Sequence, residues 1–110
     1  MLREQITARV KEAVEDLIAL RFEKLKENKM LDDEGEALIK QVLELEGAFS
    51  EPSEEYSIDL YEYNDNSGFS IEVRYLWIDG EESQLYFEFE ALTNADKTKV
   101  EKLYFKTVDA

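Results

Sequence analysis

The chain contains 110 residues with a formal net charge of -14, and 44% of the residues are hydrophobic, but it has no cysteine and no histidine. This length suits a single domain with a modest hydrophobic core. The missing residue types exclude disulfides, thiolate metal sites and the Ser–His and Cys–His catalytic pairs, so we expect no metal, no cofactor and no enzymatic activity.

A long helix is predicted over residues 3–28. An apolar stripe at helical spacing runs through this segment, and no glycine or proline interrupts it. Asn28 is the predicted stop, because asparagine tolerates the left-handed conformation that ends many helices. The apolar stripe consists of Ile6, Val10, Ala13, Val14, Leu17, Ile18 and Leu25, and the opposite, polar side consists of Gln5, Glu12, Asp16, Glu23 and Lys26.

A second helix is predicted over residues 33–46. Asp32 or Asp33 suits its N-cap, where a carboxylate accepts hydrogen bonds from free backbone N–H groups. Gly47 suits its C-terminal end. The short loop between the helices predicts an antiparallel helical hairpin within residues 1–49.

The remainder, residues 50–110, is predicted to be a β-meander. Residues 50–54 serve as a linker inside one domain of residues 1–110, because neither half can bury its apolar face alone. From Tyr56 the hydrophobic period changes to two, which is typical of an antiparallel sheet with one buried and one solvated face. The inward residues are Tyr56, Ile58 and Leu60 in the first strand, Phe69, Ile71, Val73, Tyr75 and Trp77 in the second, and Leu85, Phe87, Phe89 and Ala91 in the third.

The inward positions restrict the register between the first two strands. The first strand places even-numbered residues inward and the second places odd-numbered ones, so the numbers of paired residues must have an odd sum. A hairpin loop of residues 64–67 meets this condition. It pairs Leu60 with Ile71 on the inner face, and Asp59 with Glu72 on the outer face.

The second and third strands both place odd-numbered residues inward. The numbers of paired residues must then have an even sum, which excludes a two-residue Asp79–Gly80 turn unless a bulge intervenes. A three-residue loop with Gly80 in the left-handed conformation is the favoured prediction.

The C-terminal segment allows two interpretations. Leu103, Phe105 and Thr107 alternate with Tyr104 and Lys106, which favours a fourth strand. Residues 94–104 also carry apolar residues at spacings that a short helix accepts. We favour the strand, so the predicted fold is α+β, with the helical hairpin packed on one face of a three- or four-stranded antiparallel meander.

The outer face of this sheet is the candidate binding site. Thirteen acidic residues and one basic residue, Arg74, fall between residues 51 and 96. Carboxylates attract basic partners and speed association, and tyrosines supply rigid contact area. The alternative is an ordinary solvated face of a very acidic protein. The predicted partner-binding residues are Asp59, Tyr61, Glu72, Arg74, Tyr86, Glu88 and Glu90, with Tyr104 as a further candidate.

Other kinds of site fit the sequence less well. Asp32, Asp33 and Glu34 are better explained by the helix N-terminus than as metal ligands. The segment 64–68 lacks the spacing of a calcium loop, and a catalytic use of Asp59 with Glu72 would need a cleft. With no basic patch and no long apolar run, we expect neither direct nucleic-acid binding nor a membrane span.

In size, charge and order of elements, the chain resembles the small acidic immunity proteins of bacterial toxin systems, including contact-dependent inhibition. The resemblance lies in the helical first half and in the acid- and tyrosine-rich strands of residues 56–63 and 85–90. It implies a cognate toxin, often a basic nuclease, that is blocked by the outer face of the sheet.

The predicted function is therefore a non-catalytic, cytoplasmic protein-binding module of the immunity or inhibitor type, monomeric or weakly dimeric, with a basic protein as its partner. One alternative is a nucleic-acid mimic that occupies a DNA- or RNA-binding protein. Another is a structural or ligand-binding domain with a pocket between helices and sheet.

Overall fold

A computed structural model describes residues 2–110 as three helices and six strands. The elements are α1 (Leu2–Ile18), α2 (Phe22–Glu27), α3 (Asp33–Glu46), β1 (Ser57–Glu62), β2 (Gly68–Arg74), β3 (Trp77–Ile78), β4 (Glu81–Glu82), β5 (Tyr86–Thr93) and β6 (Val100–Asp109). Four strands form an antiparallel sheet in the order β1-β2-β5-β6, and β3 and β4 form a separate ribbon. The predicted α+β fold is confirmed, and the C-terminal segment is a strand.

Two helices, α1 and α2, replace the single helix predicted over residues 3–28. Leu20 has a φ of 60°, and its N–H donates to the carbonyl of Leu17 at 3.0 Å. The N–H of Arg21 reaches the carbonyl of Asp16 at 2.8 Å. These are the bonds of a Schellman helix end, which usually has glycine at the left-handed position. Because a leucine occupies that position here, the sequence gives no signal of the break.

Asp16 is buried at this corner, with 3% of its surface exposed, although the periodicity placed it on the polar side of the helix. It accepts a hydrogen bond from Arg21 at 2.8 Å, and Lys24 Nζ lies 3.1 Å from its Oδ2. Burial by itself raises the pKa of Asp16, but the hydrogen bonds from the two cations outweigh burial and hold that pKa below its ordinary value. One buried carboxylate therefore fixes the turn between α1 and α2.

The ends of α3 agree with the prediction. The side chain of Asp32 accepts a hydrogen bond from the N–H of Gly35 at 2.7 Å, and Gly47 ends the helix with a φ of 126°. The loop before α3 differs in one respect. Lys29, with a φ of 59°, takes the left-handed conformation that the sequence assigned to Asn28.

The helical layer contains three helices, so the two-helix hairpin describes it only loosely. Both α1 and α3 contact β6. Between α2 and α3, the carbonyl of Met30 accepts a hydrogen bond from the N–H of Phe105 in β6 at 2.7 Å. This bond ties the loop to one edge of the sheet.

The pairing of β1 with β2 follows the predicted register. Leu60 lies opposite Ile71 and Asp59 lies opposite Glu72. Tyr63 donates its N–H to the carbonyl of Gly68 at 2.9 Å, which closes the loop of residues 64–67.

The connection from β2 to β5 corrects the prediction of a three-residue loop. Asp79 and Gly80 form a two-residue turn, with φ angles of 51° and 84°, between β3 and β4. The irregular segments that flank this ribbon allow the two-residue turn although β2 and β5 pair with an even sum of residue numbers, as predicted. The left-handed conformation of Gly80 was also predicted correctly. The alternation also resets after β2, so Leu76 is fully buried and Tyr75 is exposed, while Trp77 is half-buried. The inward placement of Tyr75 and Trp77 was therefore wrong.

The predicted alternation of the C-terminal strand is also interrupted, by a bulge in the pairing of β5 with β6. The register shifts between Glu88 and Phe89, so that Phe105 pairs with Phe89 but Thr107 pairs with Glu88. Val108 therefore points inward in place of Thr107.

The hydrophobic core lies between the helices and the inner face of the sheet. Phe87, Phe89 and Phe105 pack edge to face, with ring centroids 5.7 to 6.3 Å apart. The largest fully buried side chains come from both halves of the chain: Ile6, Val10, Leu17, Ile39, Ile71, Val73, Leu76, Phe87 and Phe89. The helices cover only this inner face.

Candidate functional site: the outer face of the sheet

The outer face is the side of the four-stranded sheet that no helix covers. Buried and partly exposed residues alternate in β2 and β5, and the register places the predicted residues of β1 opposite the outward residues of β2, so the predicted residues do share one face. The outer face includes Asp59, Tyr61, Ser70, Glu72, Arg74, Tyr86, Glu88, Glu90, Tyr104, Lys106 and Thr107. All seven residues predicted from the sequence belong to it.

Three carboxylates form a row across the outer face, at right angles to the strands. Asp59 in β1 lies opposite Glu72 in β2, and Glu72 lies opposite Glu88 in β5. Like charges in directly opposed positions destabilise a sheet. The row therefore concentrates negative charge at a cost to the fold.

Arg74 partly compensates this row at its β1 end. Its guanidinium donates to Asp59 and lies 3.5 Å from Glu72. The hydrogen bond to Asp59 is the main reason that the pKa of Arg74 rises above its ordinary value. The contact with Asp59 comes from the neighbouring strand, so the local sequence around Arg74 does not indicate it.

Lys106 compensates the other end of the row. Its Nζ lies 3.9 Å from the carboxylate of Glu88, at the outer limit of an ion pair. The side chain of Glu88 is 25% exposed and that of Glu72 is 27% exposed. Glu72 and Glu88 are thus accessible to a partner, and their local cations are held at 3.5 Å or more.

Glu90 forms a separate cluster with two tyrosines. Tyr63 donates its hydroxyl to Glu90 at 2.6 Å, and the hydroxyl of Tyr104 donates to the other carboxylate oxygen. These two bonds lower the pKa of Glu90. The bond to Glu90, with burial, raises the pKa of Tyr104 to about 12, while burial and the same carboxylate raise the pKa of Tyr63. Both carboxylate oxygens of Glu90 are thus already used as hydrogen-bond acceptors within the protein.

Sequence reasoning missed Tyr63 and gave Lys106 no role. Tyr63 follows β1 and continues its alternation, so the odd-numbered parity that it shares with Asp59 and Tyr61 was the signal that would have placed it on the outer face. Lys106 was placed on the outward side of the fourth strand, but only the pairing of β5 with β6 brings it near Glu88.

Tyr61 supplies an exposed aromatic surface at the edge of the outer face. It is 47% exposed, and within residues 2–110 its hydroxyl forms no hydrogen bond. A partner could therefore cover its ring and bond to its hydroxyl.

The loop and helix positions considered for metal binding have local structural roles. Asp65 accepts hydrogen bonds from the backbone and hydroxyl of Ser67, at 3.0 and 2.7 Å. Asp32 caps α3, and Asp33 lies 3.3 Å from Lys26. Within the described part of the chain, no three acidic side chains are arranged to hold a metal ion. None of the helices between residues 2 and 110 is long and apolar enough to cross a bilayer.

Comparison with known proteins gives one match. The model of a domain of unknown function, DUF7668, matches residues 14–106. The matched segment includes the end of α1, all of α2 and α3, the strands β1 to β5 and the first part of β6. No curated protein and no solved structure matches the chain.

Proposed function

The chain belongs to the DUF7668 family, whose description assigns no function, and we propose from the geometry of its sheet that it is a non-catalytic module that binds a basic protein through the outer face. The observation that carries this proposal is the row of Asp59, Glu72 and Glu88 across three strands. A sheet selected only for stability would separate these charges. A basic partner would reduce the repulsion between these carboxylates on binding. Binding of such a partner therefore explains why the sheet contains a destabilising row.

The aromatic side chains of the outer face support the same proposal. Tyr61 borders the row at the β1 edge, and Tyr86 lies opposite Arg74 on the neighbouring strand. Tyrosine buries a large area on binding with little loss of conformational freedom. In this proposal the carboxylates set the preference for a basic surface, and the tyrosines provide the contact area.

The resemblance to immunity proteins extends the proposal to an inhibitor of a toxin. The partner would then be a basic nuclease, and binding would block the positive surface with which that enzyme holds nucleic acid. We place this complex in the cytoplasm of a bacterial cell.

The test begins with affinity capture from the native source by the tagged protein, and with purification of any basic protein that is recovered. The affinity of that protein is then measured by calorimetry for the wild type and for the double variant Glu72→Gln/Glu88→Gln. We expect the double variant to bind about tenfold or more weakly, because two charged contacts are lost.

A matched control separates the outer face from overall charge. Glu27 and Glu46 end α2 and α3, are exposed, and form no ion pair within residues 2–110. The variant Glu27→Gln/Glu46→Gln has the same net charge as the test variant and should bind normally. Equal weakening by both variants, or no recovered partner at any salt concentration, would refute the proposal.

The same complex also tests the nucleic-acid mimic. If the partner binds DNA or RNA, a mimic must compete with a duplex for one site, and its affinity must fall steeply with salt. Simultaneous binding of the duplex and this protein would exclude the mimic while leaving the protein-binding proposal intact.

A further inference from the structure

β1 is an open edge of the sheet. The opposite edge strand, β6, is tied to the loop at Met30 by the N–H of Phe105. On the free side of β1, no hydrogen bond from any group within residues 2–110 reaches the backbone. Natural sheets usually cover or shorten such an edge, since it offers a template for another strand.

The ladder between β1 and β2 shows which backbone groups are free. Tyr63 and Gly68 form a hydrogen-bonded pair, and such pairs alternate along antiparallel strands. Asp59 therefore also bonds to β2, and the N–H and C=O groups of Ile58 and Leu60 point away from the sheet. These groups have the spacing that an added strand requires.

A groove with apolar and charged lining residues runs beside this edge, on the side of the helices. It has a volume of about 400 Å³ and lies between α1, the segment of residues 51–55 and β1, with no lining residue from β2, β5 or β6. An inward side chain of a strand added to β1 would enter this groove, because α1 lies above the edge. The apolar lining consists of Val14, Ile18, Ala19, Pro52, Tyr56 and Ile58, and the charged lining consists of Lys11, Glu15, Arg21, Glu51 and Glu55.

Tyr56 is an aromatic residue of the groove lining. Its hydroxyl oxygen is buried and has no hydrogen-bond partner within residues 2–110. Burial, and then the negative charge of Glu51, raise the pKa of Tyr56 to about 12, so the hydroxyl stays protonated. A buried donor without an acceptor is unfavourable. Because this oxygen has almost no accessible surface, Tyr56 contributes to the groove as a lining residue and not as a hydrogen-bonding group for a bound chain.

The charges around the edge indicate what kind of chain would bind. The carboxylate row of the outer face ends at Asp59, on β1 itself. Glu51, Glu54 and Glu55 lie just before β1 and form no ion pair within the described residues. Lys11 and Arg21 also line the groove, so basic side chains are disfavoured inside it and apolar ones suit it better. On the outer side of the edge, at Asp59, a second copy of this acidic chain would meet like charges and a basic segment would meet opposite ones.

We propose that an extended segment of a basic protein adds antiparallel to β1, with apolar side chains in the groove beside α1 and lysine or arginine side chains facing Asp59. The segment would alternate apolar and basic residues, because successive side chains of a strand point to opposite faces. This inference rests on the proposed function, for which it supplies the mode of binding, by addition of a strand to an open edge.

The test uses an acetylated and amidated seven-residue peptide of alternating lysine and valine as the probe. Backbone amide exchange is followed by NMR on the full-length protein with and without the probe. We expect the amides of Ile58 and Leu60 to exchange about tenfold more slowly or better with the probe bound, as they gain hydrogen-bond acceptors. The amides of Asp59 and Tyr61, which already bond to β2, should change little.

Two methylated probes provide the control. In antiparallel addition the valine N–H groups face β1, so N-methylation of the valines should remove binding, and N-methylation of the lysines should preserve it. The reverse result would overturn the antiparallel arrangement. A probe that fails to bind, or that binds without slowing exchange at Ile58 and Leu60, would overturn strand addition.

The remaining outcomes separate this inference from the proposed function. If Glu72→Gln/Glu88→Gln weakens the natural partner but the probe leaves Ile58 and Leu60 unprotected, the proposed function stands and strand addition is wrong. If the probe protects Ile58 and Leu60 equally in wild type and variant, strand addition stands without the carboxylate row. Protection that rises with protein concentration and needs no probe would assign the edge to a second copy instead.

Discussion

Asp16 is the residue on which the corner between α1 and α2 depends. The change Asp16→Asn keeps the shape of the side chain but removes the charge that holds Arg21 and Lys24. We expect the free energy of unfolding at neutral pH to fall by about 1–2 kcal/mol, because the two cations are half-exposed and recover water. Urea unfolding followed by circular dichroism measures this change.

The same substitution has a predictable pH dependence. The pKa of Asp16 is lowered in the folded state, so its stabilising effect is present above the ordinary aspartate pKa and is lost as pH falls through the folded pKa. The difference in stability between wild type and Asp16→Asn should therefore shrink between neutral pH and about pH 3. Glu15→Gln, at the exposed neighbouring position, is the control and should show little effect. A difference independent of pH would contradict the assigned role.

Glu90 gives a second test at the scale of single residues. The changes Tyr63→Phe and Tyr104→Phe each remove one hydroxyl that donates to its carboxylate. Each change should raise the pKa of Glu90 towards its ordinary value, and the double change should raise it further. The carboxyl carbon of Glu90, followed by NMR during an acid titration, reports this pKa directly.

The control for this cluster is Tyr61→Phe. The Tyr61 hydroxyl forms no hydrogen bond within the described residues, so its removal should leave the titration of Glu90 unchanged. If Tyr61→Phe moved the pKa of Glu90 as far as Tyr63→Phe does, the specific bonds described here would not be its cause.

At the scale of elements, the long-range architecture was predictable and the local interruptions were not. The parity argument gave the pairing of Leu60 with Ile71 because a strand must keep its apolar side chains on one face. It failed at Tyr75 and Thr107, where the ribbon and the bulge reset the alternation. Such interruptions depend on pairing with strands that are distant in the sequence, so the local hydrophobic periodicity does not predict them.

The candidate site divides in the same way. The membership of the outer face, including the opposition of Asp59 and Glu72, followed from alternation and loop length. The contacts within the face could not be predicted in this way. Arg74 donates to Asp59 on β1, and Glu90 accepts hydrogen bonds from two hydroxyls that are distant in the sequence. Pairing partners on other strands decide these bonds, and the local sequence does not specify them.

The break between α1 and α2 yields a prediction about an element boundary. Leu20 holds a left-handed conformation that costs a residue with a side chain roughly 1–2 kcal/mol and glycine almost nothing. Leu20→Gly should therefore stabilise the protein by up to about 1 kcal/mol, despite the greater freedom of glycine in the unfolded chain. The midpoint of urea unfolding measures the effect.

The adjacent position supplies the matched control for this prediction. Ala19 has no left-handed φ, so Ala19→Gly adds freedom to the unfolded chain without relieving strain. We expect it to lower stability by roughly 0.5–1 kcal/mol. Equal destabilisation by Leu20→Gly and Ala19→Gly would mean that the left-handed turn imposes no strain on Leu20.

For the molecule as a whole, charge and fold act against each other. A net charge of -14 on 110 residues makes the folded state repel itself, and the row of Asp59, Glu72 and Glu88 places part of that repulsion inside the sheet. Ion pairs such as that of Lys26 with Glu36, at 2.7 Å, offset some of it on the helical side. Added salt screens both effects, but the excess of like charges means that the repulsion dominates.

Salt should therefore stabilise the fold and weaken the complex. Between about 0.02 M and about 0.5 M sodium chloride, we expect the free energy of unfolding to rise by on the order of 1 kcal/mol, as the Debye length shrinks below the distance between neighbouring carboxylates. Over the same range the affinity for a basic partner should fall, because opposite charges are screened as well. Glu72→Gln/Glu88→Gln should reduce both salt dependences, whereas Glu27→Gln/Glu46→Gln should reduce the dependence of stability alone. Thermal unfolding and calorimetric titration on the same samples measure the two quantities. A stability that falls with salt would mean that ion pairs, rather than the excess of carboxylates, control the electrostatics of this protein.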